Sequence, residues 1–390
     1  MIGIVIPTRN RPERLRQTLE RLGRLPAAEM GPGACVVVVD NDSSAPIETP
    51  ARLDNRLRVR LQRLPANLGA AARNVGARIA GDVEWLVMLD DDSAPLDAGF
   101  VRRLHSAPPE VAALAADITL PDGRREVGGL PEVFVGCGAA IRRRAFLAVG
   151  GYDGSFGYYV EEYDLCARLL LDGWRVRYEP WFRVRHERER RERDMDRILR
   201  ALVRNNGWVI QRYAPEPERR AELRTMRARY RQIARKERAL AGYGRGLVEL
   251  RASIGGQQRR PMPEALWARF TGLAAARAAL GEAQERAGGS IRTAALVDEG
   301  KQSHLIRRIL AEMGIEEVDP QAAPDALVIG TLSPGPMLDA CARRMAAPGD
   351  SGPVVIAPWR AADDRAAPPL ALIAGAELAT PPMSRAAVRR

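Results

Sequence analysis

Apolar and polar positions come in alternating blocks from the start of the chain. "IGIVIP" (2–7) is a continuous apolar run, as expected of a strand buried on both faces. "NRPERLRQTLERLG" (10–23) follows, with Leu15, Leu19 and Leu22 on one helical face. Asn10 stands at the N-cap position of that helix, Pro12 in its first turn and Glu13 where a capping box needs it. "ACVVVVD" (34–40) is a second apolar run closing on a carboxylate, and "RVRLQRL" (58–64) is a third strand. "NLGAAARNVGARIAG" (67–81) then reads as a helix and "EWLVMLD" (84–90) as a fourth strand. Apolar strands interleaved with helices predict an α/β domain with a mainly parallel sheet covered on both faces. Such sheets bind ligands beyond the carboxyl ends of their strands, and Asp40 and Asp90 fall on that edge.

Past residue 100 the pattern loosens. "VFVGCGAAIRRRAFLAVGGYDGSF" (133–156) predicts a strand, a short helix and a loop. "EEYDLCARLLLDGW" (161–174) is a helix opened by carboxylates and closed by Gly173, and "RVRYEPWFRVRHE" (175–187) is strand-like. From about 187 to 285 the chain is Arg/Glu/Ala-rich, and its mixed-sign charges read as solvated helix faces. A second alternation starts near 290: "IRTAALVDEG", "DALVIGTLS" and "PVVIAPWR" are strands, and "QSHLIRRILAEMG" and "PMLDACARRMAA" are helices. The expected division is 1–215 for the first α/β domain, 216–287 for a helical extension and 288–380 for a small Rossmann-like α/β domain, followed by a frayed tail.

Composition adds a cationic surface. The net charge is +11, carried almost wholly by arginine, since Lys236 and Lys301 are the lysines. That suits phosphates, nucleic acid or anionic lipid, but no nucleic-acid motif or aromatic interleaving accompanies it. Cys35, Cys137, Cys166 and Cys341 lack CxxC spacing, so no zinc site or disulfide framework is indicated. Three of the four sit in apolar or helical surroundings and read as small core residues. No apolar run approaches the length of about 18 residues that a membrane span needs, and the first residues lack a signal peptide's basic flank. The expected location is cytoplasmic, with room for peripheral contact at the inner face of the membrane.

The candidate chemistry gathers where "WLVMLDDDSAP" (85–95) drives Asp90, Asp91 and Asp92 onto the end of an apolar strand. Adjacent carboxylates repel one another and are costly to bury without a cation. Around them "IPTRN", "VVVVDNDSS", "NLGAAARNVGA", "MLDDDS", "VGGYDGSF" and "EEYDLCARLLLDG" follow in order, and His186 comes after a strand. In this order the motifs resemble family 2 glycosyltransferases of the GT-A fold, over residues 1 to about 215. That resemblance implies inverting sugar transfer from a nucleotide-diphosphate sugar to a hydroxyl on a glycan or lipid-linked glycan.

It also implies roles. Pro7, Thr8 and Asn10 shape the first turn against the nucleotide, and Asp40 accepts hydrogen bonds from base or ribose. Asn67, Gly69, Arg73 and Asn74 match a helix start in which Arg73 faces base or diphosphate. Asp90 and Asp91 also face the donor. Asp90 and Asp92, in the family's DxD position, would hold Mn²⁺ or Mg²⁺ across the two phosphates, with His186 as a further ligand that favours Mn²⁺. The loops 136–138 and 150–153 would line the sugar and the acceptor entrance. Glu162 matches the catalytic carboxylate, with Asp164 next in the motif. These two lie about 200° apart around a helix, so they cannot both face one hydroxyl. "RNNGW" (204–208) could touch acceptor or membrane.

The bland alternatives are a solvated "DDD" loop, a turn aspartate at 40, an exposed salt-bridging Arg73, a structural His186, and carboxylates that merely complement a helix dipole. The competing functions are a nucleotidyltransferase of similar fold and a non-catalytic nucleotide-sugar or glycan-binding protein. The former would carry a glycine-rich basic signature after the first strand, which "IPTRNRPERL" lacks. The C-terminal unit offers only Gly300 in its first turn, too few glycines to cradle a dinucleotide, and reads as an interaction or regulatory module. Every candidate catalytic residue precedes 190, so its removal is expected to leave donor hydrolysis detectable.

Overall fold

Val36 to Val39 are fully buried because their strand lies between two parallel neighbours with packed layers above and below. Alternation divides them: Val36 and Val38 join a cluster with Leu15, Leu19 and Leu22, while Val37 and Val39 join one with Ala72 and Ala77. The computed structural model describes residues 1–188, 194–345 and 353–359. One sheet holds β1 (Ile2–Thr8), β2 (Cys35–Asp40), β3 (Arg58–Arg63), β4 (Trp85–Met88), β5 (Ser93–Pro95), β6 (Val111–Thr119), β7 (Ala139–Arg142) and β8 (Arg175–His186), in the order β3-β2-β1-β4-β7-β6-β8-β5. β3, β2, β1 and β4 are parallel, as are β6 and β8; β7 and β5 run against their neighbours. The expected mainly parallel sheet flanked by helices is met. Thr8 pairs with Asp40 across β1 and β2, so both strands end at the same level, where Asp90 follows β4.

Two local features differ from the sequence pattern. The pattern assigns nothing to Val111–Thr119, whose "VAALAADIT" is rich in alanine, a poor strand former. Burial between β7 and β8 overrides that propensity. The helix Pro12–Gly23 has Arg11, not Asn10, at its cap, without a side-chain cap bond. Asn10 takes φ 56° and accepts the Ser44 N–H at 2.7 Å, tying the β1 turn to the β2 turn instead.

Helices Met195–Tyr213, Glu216–Lys236, Leu240–Ser253, Glu264–Thr271 and Leu273–Arg286 follow the sheet. A second sheet then contains β9 (Thr293–Val297), β10 (Glu316–Glu317), β11 (Ala326–Ile329) and β12 (Val354–Ile356), all parallel, in the order β10-β9-β11-β12. One apolar cluster runs from Val37 and Met88 through Leu199, Trp267 and Phe270 to Ile306 and Val328, so the two sheets share a core. Among the described residues no helix is long and apolar enough to cross a membrane. The expected tail, and the part of the C-terminal unit beyond 359, lie outside the described residues.

Candidate active site

The three aspartates leave β4 at the carboxyl edge of the sheet and meet two arginines. Asp90, half-exposed, pairs with the buried Arg73. Arg11 spans the other two, bonding Asp91 at 2.5 Å and Asp92 at 2.6 Å. Thr8 donates its hydroxyl to Asp91 Oδ2 at 2.8 Å, and Thr18 donates to the Asp91 carbonyl at 2.8 Å. The repulsion is thus offset within the chain, which excludes a solvated loop: Asp91 and Asp92 are only 4% and 5% exposed. Burial pushes the Asp91 carboxyl up to about 7, in spite of Arg11 and Thr8. Burial also works to raise Asp92, but the His186 hydrogen bond and charge, with Arg11, hold it at about 2.

His186 closes β8, paired with Ser93 of β5, which brings the imidazole to the acidic turn. Its Nε2 lies 3.3 Å from Asp92 Oδ1, and its Nδ1 lies 2.9 Å from Glu126 Oε2 and 3.5 Å from Cys137 Sγ. Burial opposes the imidazolium, while Cys137, Asp92 and Glu126 raise its pKa. Asp90, Cys137 and His186 each present a ligand atom, all within 4.8 Å of one another. A carboxylate oxygen, a sulfur and an imidazole nitrogen this close together are of the kind and spacing that one divalent transition-metal ion can draw in. Asp92 meets His186 Nε2 but is not part of that set, in which Cys137 stands beside Asp90 and His186 where the sequence reading has Asp92. Cys137 is buried, as its apolar setting implies, yet its sulfur faces the histidine.

Beside this group opens a cleft of about 560 Å³. One wall is Pro7, Thr8, Arg9, Arg11, Arg73, Asp90 and Asp91; the other is Phe156 to Tyr159 with Asp194, Arg197, Ile198, Ala201 and Arg204. Five arginines against three carboxylates suit an anionic ligand. The loops expected there, 136–138 and 150–153, are replaced in the lining by 156–159. That loop carries two successive left-handed residues, Tyr159 at φ 71° and the β-branched Val160 at φ 72°. Asn205, fully buried, holds it by donating to the carbonyls of Phe156, Tyr158 and Tyr159 at 3.1, 3.1 and 2.7 Å. Of "RNNGW", only Arg204 reaches the cleft. Trp208 is buried, bonded to Ser253 and edge-on to Phe156, and so is not available to a membrane.

The other expected donor residues surround the cleft without lining it. Asp40 is 1% exposed: Oδ1 accepts the Ser43 N–H at 2.9 Å, and Oδ2 has no hydrogen-bond partner, with Arg63 Nε 3.7 Å away. Asn67 is exposed and accepts the Gly69 N–H at 2.9 Å. Gly69, at φ 60°, lets its turn touch the cleft loop; an added Cβ would stand 2.5 Å from the Gly157 carbonyl. Asn74 bonds the Tyr152 backbone through both amide atoms, at 2.8 Å each.

The helix Glu161–Leu171 separates its carboxylates. Asp164 is wholly buried and accepts Arg168 Nη2 at 2.7 Å, Arg212 Nη1 at 2.8 Å and the Tyr213 hydroxyl at 2.6 Å. Glu162, half-buried, faces the opposite way, and its Oε1 accepts the Gly136 N–H at 3.2 Å. Burial raises its pKa against the pull of its own and the Gly136 N–H and of Arg73. Glu161 is raised well above the carboxylate range by burial and then by Glu162, and its Oε2 has no partner. Glu161 Oε2, Arg73 Nε and Asp40 Oδ2 are thus three buried polar atoms without a hydrogen-bond partner in the protein.

The model of the family "Glycosyl transferase family 2" matches residues 3–121, which hold Pro7, Asp40, Arg73 and the acidic turn. Residues 3–121 are a family 2 glycosyl transferase domain. His186 and Glu162 lie beyond the matched part of that transferase domain. The "Pre-mycofactocin glycosyltransferase" of Mycobacterium tuberculosis, in two strains, is 32% identical over 218 residues, 50% of this chain. The match spans 44% of the length of those relatives. Among solved structures the chain is similar to the mannosyltransferase PcManGT from Pyrobaculum calidifontis in complex with GDP-Man and Mn²⁺ (16% identity, TM-score 0.43, 80% of this chain and 86% of that one). It is also similar to S. aureus TarS 1-349 in complex with UDP-GlcNAc (14% identity, TM-score 0.46, 74% and 88%).

Proposed function

We propose that the transferase domain moves a sugar from a nucleotide-diphosphate sugar to an acceptor hydroxyl, with inversion and with a divalent cation held by Asp90, Asp92 and His186. One observation carries the reading: a family 2 domain whose acidic turn meets an imidazole 3.3 Å from Asp92, beside an arginine-lined cleft. The cation, when bound, would offset charge on the diphosphate leaving group. Imidazole among the ligands, with a thiol beside it, favours Mn²⁺ over Mg²⁺. Arg11 and Arg73, which now neutralise the aspartates, are free to turn to the phosphates once a cation takes their place. Asp40 Oδ2, a buried acceptor without a donor, suits a base or ribose proton.

Glu162 is the base in this account. The acceptor oxygen bonds to the anomeric carbon, the bond from that carbon to the diphosphate oxygen breaks, and the hydroxyl proton passes to Glu162. A carboxylate raised by burial accepts that proton more readily. Asp164, saturated by arginine and tyrosine donors, supports the helix rather than the hydroxyl. The acceptor class is a glycan or lipid-linked glycan, with peripheral membrane contact a corollary of the lipid-linked case. Thermal shifts with a panel of nucleotide sugars, with and without Mn²⁺, test the reading. A donor at 100 times its dissociation constant should stabilise the chain by about 2.7 kcal/mol, and only with the cation. No stabilisation by any nucleotide sugar in Mn²⁺ would refute it.

A further inference from the structure

Glu126 carries no motif, yet it touches the candidate metal ligand. It is 6% exposed, with Oε2 on His186 Nδ1 at 2.9 Å and Oε1 accepting Arg188 Nη1 at 2.6 Å. Its own position is fixed from the far end of the chain. On one side, the Arg125 N–H donates to Asp339 Oδ2 and the Arg125 guanidinium to Asp339 Oδ1, both at 2.8 Å. The same guanidinium holds Asp117 of β6 at 2.7 Å. On the other side, the Gly128 N–H donates to Ser333 Oγ at 3.2 Å, and the Ser333 hydroxyl donates back to the Gly128 carbonyl. Gly335 sits so close that an added Cβ would lie 2.4 Å from the Glu126 carbonyl. Ser333 follows β11, and Asp339 lies on the helix Pro334–Met345. A further contact reaches the neighbour of Glu162: Lys301 donates to the Tyr163 hydroxyl, which donates to the Gly129 carbonyl at 3.2 Å.

We propose that the C-terminal α/β unit is a structural part of the metal site, in which Asp339 and Ser333 hold the 125–128 segment so that Glu126 orients His186. The unit is then not a dispensable appendage, as the position of the catalytic candidates before 190 implies. A carboxylate on the second ring nitrogen fixes which nitrogen of a histidine faces a metal, and loss of such a partner typically weakens metal binding about 10- to 100-fold. Glu126, Asp339 and Ser333 are positioning residues; none touches the reacting atoms. The inference rests on the metal-dependent reading above.

The test is the Mn²⁺ dissociation constant of the full chain, read from the paramagnetic resonance signal of free Mn²⁺. Glu126→Gln and Asp339→Asn should each weaken binding about tenfold, and the double variant should lose no more than the weaker-binding single, because both act through one carboxylate. Arg277→Gln, which breaks the Arg277–Glu312 pair between the helix Leu273–Arg286 and the C-terminal unit without touching residues 125–128, should leave the constant unchanged. A folded Asp339→Asn chain that binds Mn²⁺ within about twofold of wild type would overturn the inference, as would additive losses in the double variant. A wild-type chain that binds no Mn²⁺ would instead remove the metal-dependent reading, and this inference with it.

Discussion

Gly136 gives Glu162 the space it occupies. A Cβ at 136 would stand 2.9 Å from Glu162 Oε1, closer than van der Waals contact allows, and the carboxylate tip is what would move. Gly136→Ala should therefore lower the transfer rate about 10²-fold, as misplacing a general base does, while the melting temperature changes little. A variant with wild-type turnover would show that Glu162 Oε1 need not lie there. Asp91 makes a pH prediction. Its folded pKa is raised from 3.8 to about 7, so the folded state holds this proton more tightly than the unfolded chain does. Its contribution to stability is full below 3.8 and is lost as pH rises through about 7. In metal-free protein the difference in unfolding free energy between wild type and Asp91→Asn should change over that window, by at most about 4 kcal/mol for three pKa units. A difference that stays flat from pH 4 to 8 would contradict the burial assigned to Asp91. The acidic turn was legible because its residues are adjacent in sequence. Its partners were not: Arg11 meets Asp91 across 80 positions and Cys137 meets His186 across 49, distances that no local spacing encodes.

The loop from Gly154 to Val160 forms a wall of the cleft in a conformation its own residues disfavour. Tyr159 and Val160 both take positive φ, and Asn205 holds three of the loop's carbonyls from the helix Met195–Tyr213. Asn205→Ala leaves buried acceptors without a donor, at a cost of about 1–3 kcal/mol in urea unfolding. Nucleotide affinity should fall as well, because Gly157 to Tyr159 line the cleft. Loss of stability with donor affinity unchanged would mean that the loop does not meet the nucleotide. At this scale the apolar runs gave β1, β2 and β4 directly, because strands buried on both faces leave an unbroken signal, whereas β3 and β8 showed through alternating apolar and charged positions. β6 was hidden by its alanines, and the three-residue β5 is too short to show a period. Asn10 matched a capping box but was drawn instead to Ser44, a tertiary bond that outranks a local pattern.

Across the whole molecule, one apolar cluster joins both sheets through the helical block, and the Arg125–Asp339 pair ties the C-terminal unit to β6. Parts that share a core unfold together, so calorimetry should show a single transition whose calorimetric and van't Hoff enthalpies agree. Two separated transitions would show that the C-terminal unit folds on its own and would weaken its role at the metal site. The sequence could present that unit only as a second alternation with a poor phosphate turn, since nothing in a linear pattern says which surfaces meet. The central claim is that this chain transfers a sugar with Glu162 as base. It is tested most directly by the rate of nucleoside diphosphate release from a responsive nucleotide sugar, with Mn²⁺ and acceptor, in wild type and Glu162→Gln. The account predicts a rate about 10²- to 10⁴-fold lower in the variant, or about 3–5 kcal/mol of barrier, with the nucleotide dissociation constant unchanged. A Glu162→Gln chain within about threefold of wild type would contradict it.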